Sequence, residues 1–540
     1  MSLNTIILEH ELLGKVTGIE AGLHVTQFLG IKYASVKGRF EESLLFEQSQ
    51  GDATRFGPAC PQDANALQIE QEHLIQKALP LSGDNPVESE TECLNLNITV
   101  PRDIPTGTKL PVLVWIHGGG FLFGANFWPQ TDMRRLVTLG IESGMPFGFP
   151  NSAYLLSYRT NSFGFLASFE LQEAGYHGNY GIKDQINAFA WIKKFITGFG
   201  GDPDNVTAMG ESCGGVSATL LLHSNEPLFS RVISMGGHAL LMAPIPLETA
   251  NEAYAKVVDC LGLRDLSPAQ RVEKLRTIPH KDIIDKVPSN IPNRPVIDGA
   301  LFQRALTAQD VENATDTESI PGKAWCQDLL IGDCQADGYI ISSALDSHKK
   351  DIGSRLVASL TRSLSKTPQL VTSTLSDYHI TDAESDDTAF HRIVALLTDV
   401  GFYAPLEIAA RGWPNTHGRY IYHFNAPNPF HGPLQGKASH VLDVAYAFQN
   451  YNDYLSPPDI CIAKDFGLAI VHFAHKGLPG WPAWSEDALE DPGVFGHVTD
   501  PDTTFSTTGR SQRRPFIPSL LEEYSHDLLW GALQKFLNGE

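Results

Sequence analysis

A chain of 540 residues with 42% hydrophobic and 19% charged residues has the balance of a large globular protein, which excludes disordered, collagen-like and disulfide-scaffold chains. Lys and Arg number 40 against 62 Asp and Glu, a formal net charge of -22 that repels nucleic acid and anionic membranes and otherwise serves solubility. Seven widely spaced cysteines, an odd number without a C-x-x-C pair, fit neither a zinc site nor a disulfide framework.

The N-terminus lacks a basic region, and its apolar run at 5–8 is broken by Glu9, His10 and Glu11. That is shorter than the ~7–15 residues of a secretory signal core. Unbroken apolar runs such as 110–116 are well short of the ~20 residues a membrane helix needs. The expectation is therefore a cytoplasmic protein without membrane insertion, and the N-x-T triplets at Asn97, Asn205 and Asn313 carry little weight. Short apolar stretches separated by turns, ending at 28–34, predict an antiparallel β-meander. Residues 51–90, rich in Gly, Pro, Asp, Asn and Gln, read as loop with a short helix. Alternation over 94–100 predicts a strand, and the wholly apolar 112–116 predicts one buried on both faces. A further short strand is expected at 154–158. Ile186, Phe189, Ala190, Ile192 and Phe195 recur at helical spacing within 184–195. A turn cluster at 198–203, a strand at 206–209 and a helix of small residues follow. Alternating strands and helices imply an α/β fold with a mostly parallel central sheet. Beyond about residue 250 the chain turns helical and polar, without repeats or linkers. The expected organisation is one domain over 1–540 with helical insertions, mainly after residue 240.

The sharpest local signal is Gly210-Glu211-Ser212-Cys213-Gly214. A G-x-S-x-G pattern alone is weak, but here a short apolar strand precedes it and a small-residue helix follows. That is the setting of a nucleophile elbow, a strained turn whose flanking positions must lack side chains. The helix N-terminus beneath it offers N–H groups and a positive dipole end to a developing anion. His117-Gly118-Gly119-Gly120-Phe121 follows directly on the 112–116 strand, where consecutive glycines let backbone N–H groups approach a substrate oxygen. A phosphate-binding loop is the competing reading of this glycine. Neither stretch has G-x-x-x-x-G-K-[ST] or G-x-G-x-x-G, which argues against it.

Taken together, these motifs resemble the type-B carboxylesterase/lipase family of α/β-hydrolases, which includes cholinesterases and fungal lipases. Similar stretches run nearly end to end, among them 28–34, 56–62, 92–98, 158–159 with 163–166, 178–185, 199–203, 399–405 and 480–484, and thin out between about 340 and 390 and near the C-terminus. The resemblance implies an α/β-hydrolase fold and a triad in the order Ser, acid, His. Among the late histidines His423, His431, His440, His472 and His475, the surroundings of His440 (Ser439 to Phe448) are similar to the family's histidine loop. The acid falls in 329–338, where the family usually ends on Glu-Gly and this chain has Asp337-Gly338; Asp333 is the rival. The implied chemistry is acyl transfer from a small-molecule ester. Ser212 attacks, His440 is the base, Asp337 orients it, and the N–H groups of Gly119, Gly120 and Cys213 hold the oxyanion. No cofactor and no metal site are implied.

Cys213 stands where the family usually has Ala, either as buried filler or as a thiol near enough to Ser212 to be trapped by reagents. Cys60 and Cys93 fall where secreted relatives carry a disulfide, which the compartment argument opposes. Phe121 and Phe123 are candidate walls of an acyl pocket, and Glu211 a candidate neighbour of the nucleophile. Beside hydrolysis, an acyltransferase or lactone-forming enzyme would use the same triad. A silent binding relative would normally have lost the serine.

Overall fold

Twelve stretches, from Thr5 to Phe495, assemble into a single twisted sheet. The structure, a computed structural model, describes residues 4–22, 24–81, 87–102, 107–143, 152–341, 345, 349–485, 493–496 and 516–539. In chain order the strands are β1 (Thr5–His10), β2 (Gly14–Glu20), β3 (Val25–Lys32), β4 (Gly51–Asp52), β5 (Asn95–Pro101) and β6 (Leu110–Ile116). They continue with β7 (Ser152–Leu156), β8 (Gly201–Glu211), β9 (Arg231–Met235), β10 (Asp328–Cys334), β11 (Arg419–Phe424) and β12 (Gly493–Phe495). Their spatial order is β1-β2-β3-β5-β7-β6-β8-β9-β10-β11-β12, with β4 beside β2. Pairing is antiparallel from β1 to β7, the expected meander and its continuation, and parallel from β7 to β12. This is the α/β-hydrolase architecture predicted by the motifs.

The apolar code of β6 has a direct cause. Val112, Val114 and Ile116 point into one core layer and Leu113 and Trp115 into the other, so neither face meets water. Strand β5 departs from its sequence pattern. Its alternation suggests a wet face, yet every residue is buried. Asn97 Oδ1 accepts the Gly30 N–H at 2.8 Å, and Asn97 Nδ2 donates to the Asn126 carbonyl at 2.8 Å. The polar face is covered by loops whose backbone groups these side chains satisfy.

Boundaries move by a few residues elsewhere. The helix expected at 184–195 spans Tyr180–Phe195 (α1), and the strand expected at 154–158 is Ser152–Leu156, which leaves Tyr158 beyond the strand end. Residues 66–68 form a helical turn that passes into a π-helical segment, Ile69–Ile75. Helix α2 (Cys213–Leu220) follows β8.

One helical run, Asp386–Arg411, is long and apolar enough to cross a membrane by length and composition. A search for unbroken apolar runs misses it because Asp, His and Arg interrupt it. It comprises α3 (Asp386–Thr398), a π-helical turn (Asp399–Tyr403) and α4 (Ala404–Arg411), and 94% of its most apolar window is buried inside the protein. It is a core helix. Cys60 and Cys93 are buried and in hydrogen-bond contact; all seven cysteines are free.

Candidate active site

The site is built at the carboxyl ends of β8, β10 and β11, where ligand crevices form in parallel sheets. Strand β8 ends at Glu211, and the chain turns sharply into α2 through Ser212, at φ 54° and ψ −127°. A non-glycine residue there is strained, and its neighbours pin it. The Ser212 N–H donates to the Met235 carbonyl at 2.9 Å. A Cβ on Gly210 would stand 2.3 Å from the Gly214 carbonyl, and one on Gly214 would stand 2.1 Å from the Ile116 carbonyl. Both flanking glycines are therefore required, Gly210 by backbone across the turn and Gly214 by the end of β6. The hydroxyl-bearing residue itself stays partly open to solvent.

The second element leaves the end of β6. Gly119, Gly120 and Phe121 take φ of 96°, 63° and 62° in succession. Among the described residues, no carbonyl accepts the N–H groups of Gly119, Gly120 or Cys213. Gly118 packs against the elbow: a Cβ there would lie 3.2 Å from Ser212 Cβ and 2.8 Å from Glu211 Oε2.

Asp337 and His440, the expected acid and base, come from loops past the strand ends. Asp337 lies three residues beyond β10, fully buried; its Oδ2 accepts the Cys334 N–H at 2.8 Å, and its Oδ1 lies 2.7 Å from His440 Nδ1. Gly236 and Gly237 let this pair reach the elbow. A Cβ on Gly236 would meet the imidazole at 3.2 Å, and one on Gly237 would meet the Ser212 carbonyl at 2.1 Å. His440 is braced by the edge of Phe402, centroids 5.3 Å apart, from the π-helical turn. Its Nε2 makes no hydrogen bond to Ser212 here. It stands 3.1 Å from Glu211 Oε1, which lies off the N–H axis and acts on the ring as a charge.

The electrostatics follow from burial. Glu211, Asp337, Asp443 and Glu70 are all raised, in each case first by loss of water. Asp443, which accepts from Tyr422 Oη at 2.8 Å, is pushed up to about 6 and Glu70, held by Gln130 at 2.8 Å, to about 7. Burial disfavours the His440 imidazolium, but Glu211, and then Asp337, outweigh it and raise the imidazole to about 9. Four buried carboxyl groups around one imidazole hold a proton more tightly than separate groups would.

Of the other residues singled out in the sequence, Asp333 pairs with His423, Nδ1 to Oδ1 at 2.6 Å, inside the β10–β11 ladder. His431, His472 and His475 stand apart from Ser212: His431 Nδ1 contacts Gln435, and the other two lie on the helix Pro457–Lys476. Phe121 is not a pocket wall. Its positive φ turns the ring into the core against Phe165, centroids 4.6 Å apart. Phe123 is half-buried and crowds Gly119, whose Cβ would meet its carbonyl at 2.3 Å. The Cys213 thiol is buried and pushed up to about 12 by that burial, which disfavours the thiolate that thiol reagents trap. Sequence reading overlooked Glu70, Asp443, Phe402 and the Gly236-Gly237 pair. The double glycine after β9 was the one legible sign, since it too marks a close backbone approach. Among the described residues, no group of three or more His, Cys, Asp or Glu side chains is arranged to hold a metal.

Three comparisons bear on this arrangement. The model of the carboxylesterase family matches residues 5–511. The para-nitrobenzyl esterase of Bacillus subtilis is 28% identical over 524 residues, covering 93% of this chain and 96% of the esterase. The bile salt-activated lipase of Bos taurus is 30% identical over 436 residues, 74% of this chain and 70% of the lipase. Among solved structures, a carboxylesterase of Geobacillus stearothermophilus superimposes with a TM-score of 0.71 at 26% identity, covering 92% of this chain and 98% of that one.

Proposed function

Since the chain belongs to the carboxylesterase family and is a carboxylic ester hydrolase, we propose that it cleaves neutral esters through Ser212, His440 and Asp337. The observation that carries this reading is the buried 2.7 Å pairing of Asp337 with His440 beside a strained serine at the tip of β8. His440 Nε2 swings from Glu211 to Ser212 Oγ when substrate fills the site, a tightening common to resting active sites. It takes the hydroxyl proton as Oγ bonds to the ester carbonyl carbon. The charge on the carbonyl oxygen is held by the N–H groups of Gly119, Gly120 and Cys213. The imidazolium, steadied by Asp337, then gives its proton to the departing alkoxide and leaves an acyl-serine. A water molecule, deprotonated by the same imidazole, releases the acid. The loss of water that raises every carboxyl group around His440 would equally disfavour a substrate carrying its own carboxylate, which supports the restriction to neutral esters.

Turnover of p-nitrophenyl esters from acetate to palmitate by the wild type and Ser212→Ala tests the proposal. Hydrolysis abolished in the variant is the expected result, and the best chain length sizes the acyl pocket. A stable acyl adduct on Ser212 without turnover would replace hydrolysis by transfer to another alcohol. Undiminished turnover in Ser212→Ala would overturn the nucleophile.

A further inference from the structure

Three consecutive left-handed residues follow β6, held locally by the Leu122 N–H, which donates to the Gly119 carbonyl at 2.9 Å. Gly119 and Gly120 pay no steric penalty at positive φ, but Phe121 does, and each offers an N–H that no helix or strand takes up. The far end is fastened by Phe121's own carbonyl, which accepts the Asn161 N–H at 2.6 Å. The Phe121 N–H has a different partner, the Cys213 sulfur, at 3.0 Å. Tyr158 Oη lies 3.8 Å from the same sulfur and donates to the His117 carbonyl at 3.0 Å. The Tyr158 ring also stacks on the His117 imidazole, centroids 4.3 Å apart and 12° from parallel.

The donors and acceptors close into one consistent chain. The thiol stays protonated, because burial raises it to about 12. Its S–H can therefore point to Tyr158 Oη, whose own hydrogen goes to the His117 carbonyl, while the sulfur accepts from Phe121. Every polar hydrogen is used once. His117 opens the glycine loop and Phe121 closes it, so this chain grips both ends. It is attached to the residue whose backbone N–H is the third donor of the proposed oxyanion site. The first turn of α2 comes equally close, with no room for a Cβ on Gly214 beside the Ile116 carbonyl.

We propose that the Cys213 side chain, together with Tyr158, is a positioning device: a clasp that sets the spacing between the N–H groups of Gly119 and Gly120 and that of Cys213. An alanine here keeps the backbone donor but orphans the Phe121 N–H and cuts that end off from Tyr158, which still holds the His117 carbonyl. The clasp rests on the reading of Ser212 as nucleophile. It acts on the charge that develops in the transition state, so its loss shows in kcat and leaves substrate binding largely alone.

The test compares Cys213→Ala, Cys213→Ser, Tyr158→Phe and the Cys213→Ala/Tyr158→Phe double variant, with Ser212→Ala as control. Each is assayed with p-nitrophenyl butyrate and with a butyl trifluoromethyl ketone, which forms a tetrahedral adduct on an active serine. Outright loss of one oxyanion donor costs about 10²–10³ in turnover, so misplacing donors in Cys213→Ala should cost about tenfold in kcat. Ketone affinity should fall in parallel while KM changes little. Serine is close to alanine in size but can still accept from Phe121 and donate to Tyr158, so it should recover much of the loss. The double variant should lose less than the product of the single losses, because both members serve one clasp. The clasp is overturned if Cys213→Ala matches the wild type in kcat and ketone affinity, or if Cys213→Ser is as impaired as Cys213→Ala, which would make the effect one of filled volume. If Cys213→Ala does not fold, Cys213→Ser and Tyr158→Phe carry the same comparison against the wild type. Undiminished turnover in Ser212→Ala would instead sink the nucleophile reading and the clasp with it. An inactive Ser212→Ala beside an unperturbed Cys213→Ala would sink the clasp alone.

Discussion

Two buried histidine–aspartate pairs lie side by side in this molecule, and they differ in almost everything but their bond. His440 and Asp337 meet at 2.7 Å, His423 and Asp333 at 2.6 Å, and the two aspartates are four residues apart. Asp333 and His423 sit opposite one another in the ladder of β10 and β11, and Tyr403 stacks on His423 at 5.5 Å. Asp337 and His440 lie past the strand ends, beside the serine turn and within reach of Glu211. The pairing itself does not mark a reactive centre. What distinguishes the second pair is its place at the open end of the sheet, facing a group that can give up a proton.

The widest separation between the pairs should come from removing the acid. Asp337→Asn is expected to lower kcat by about 10³–10⁴, the effect of losing the group that fixes the tautomer and steadies the imidazolium. Asp333→Asn should instead lower stability by about 1–3 kcal/mol, through a damaged buried hydrogen bond, with kcat nearly unchanged. Steady-state kinetics and denaturant unfolding on both variants decide this, and a reversed pattern would transfer the triad acid to Asp333.

A smaller effect sharpens the role of charge. As the proposed base, His440 works only when neutral, so activity should rise as pH climbs through its pKa. Glu211 raises that pKa. In Glu211→Gln the ascending limb of kcat/KM should therefore move to lower pH, by about one to three units. An alkaline shift, or none, would remove Glu211 from the imidazole's electrostatics. The smallest difference concerns the two aromatic neighbours. Phe402→Leu, which takes an edge contact from His440, should reduce kcat by about twofold to tenfold. Tyr403→Phe, which takes a hydroxyl from Glu407 at 3.1 Å, should cost about 1 kcal/mol of stability and leave turnover alone.

The elbow and the glycine loop were readable because each is a steric demand, and such demands appear in sequence as glycine. The parallel strands were readable because burial on both faces leaves only apolar residues. Strand β5 misled, since its buried asparagines look like a wet face until the loops covering them are known. The Asp386–Arg411 helix escaped because its few charged residues hide an apolar stretch. Asp333 against Asp337 was not decidable from residue type, because the choice turns on where β10 ends. Glu70 and Asp443 carried no local signal, as their importance comes only from proximity to an imidazole remote in sequence.

The order of the parts along the chain has a consequence for how the protein is made. Ser212 is set in its turn by β6, β8 and β9, which are all synthesised before either partner. Its base emerges about 230 residues later, and at about 5–20 residues per second a ribosome needs roughly 10–45 s to cover that length. During this interval a nascent chain carries a contorted serine with no imidazole to accept its proton. On the proposed triad, hydrolytic power would therefore wait for the segment carrying β11 and the His440 loop to dock beside β10.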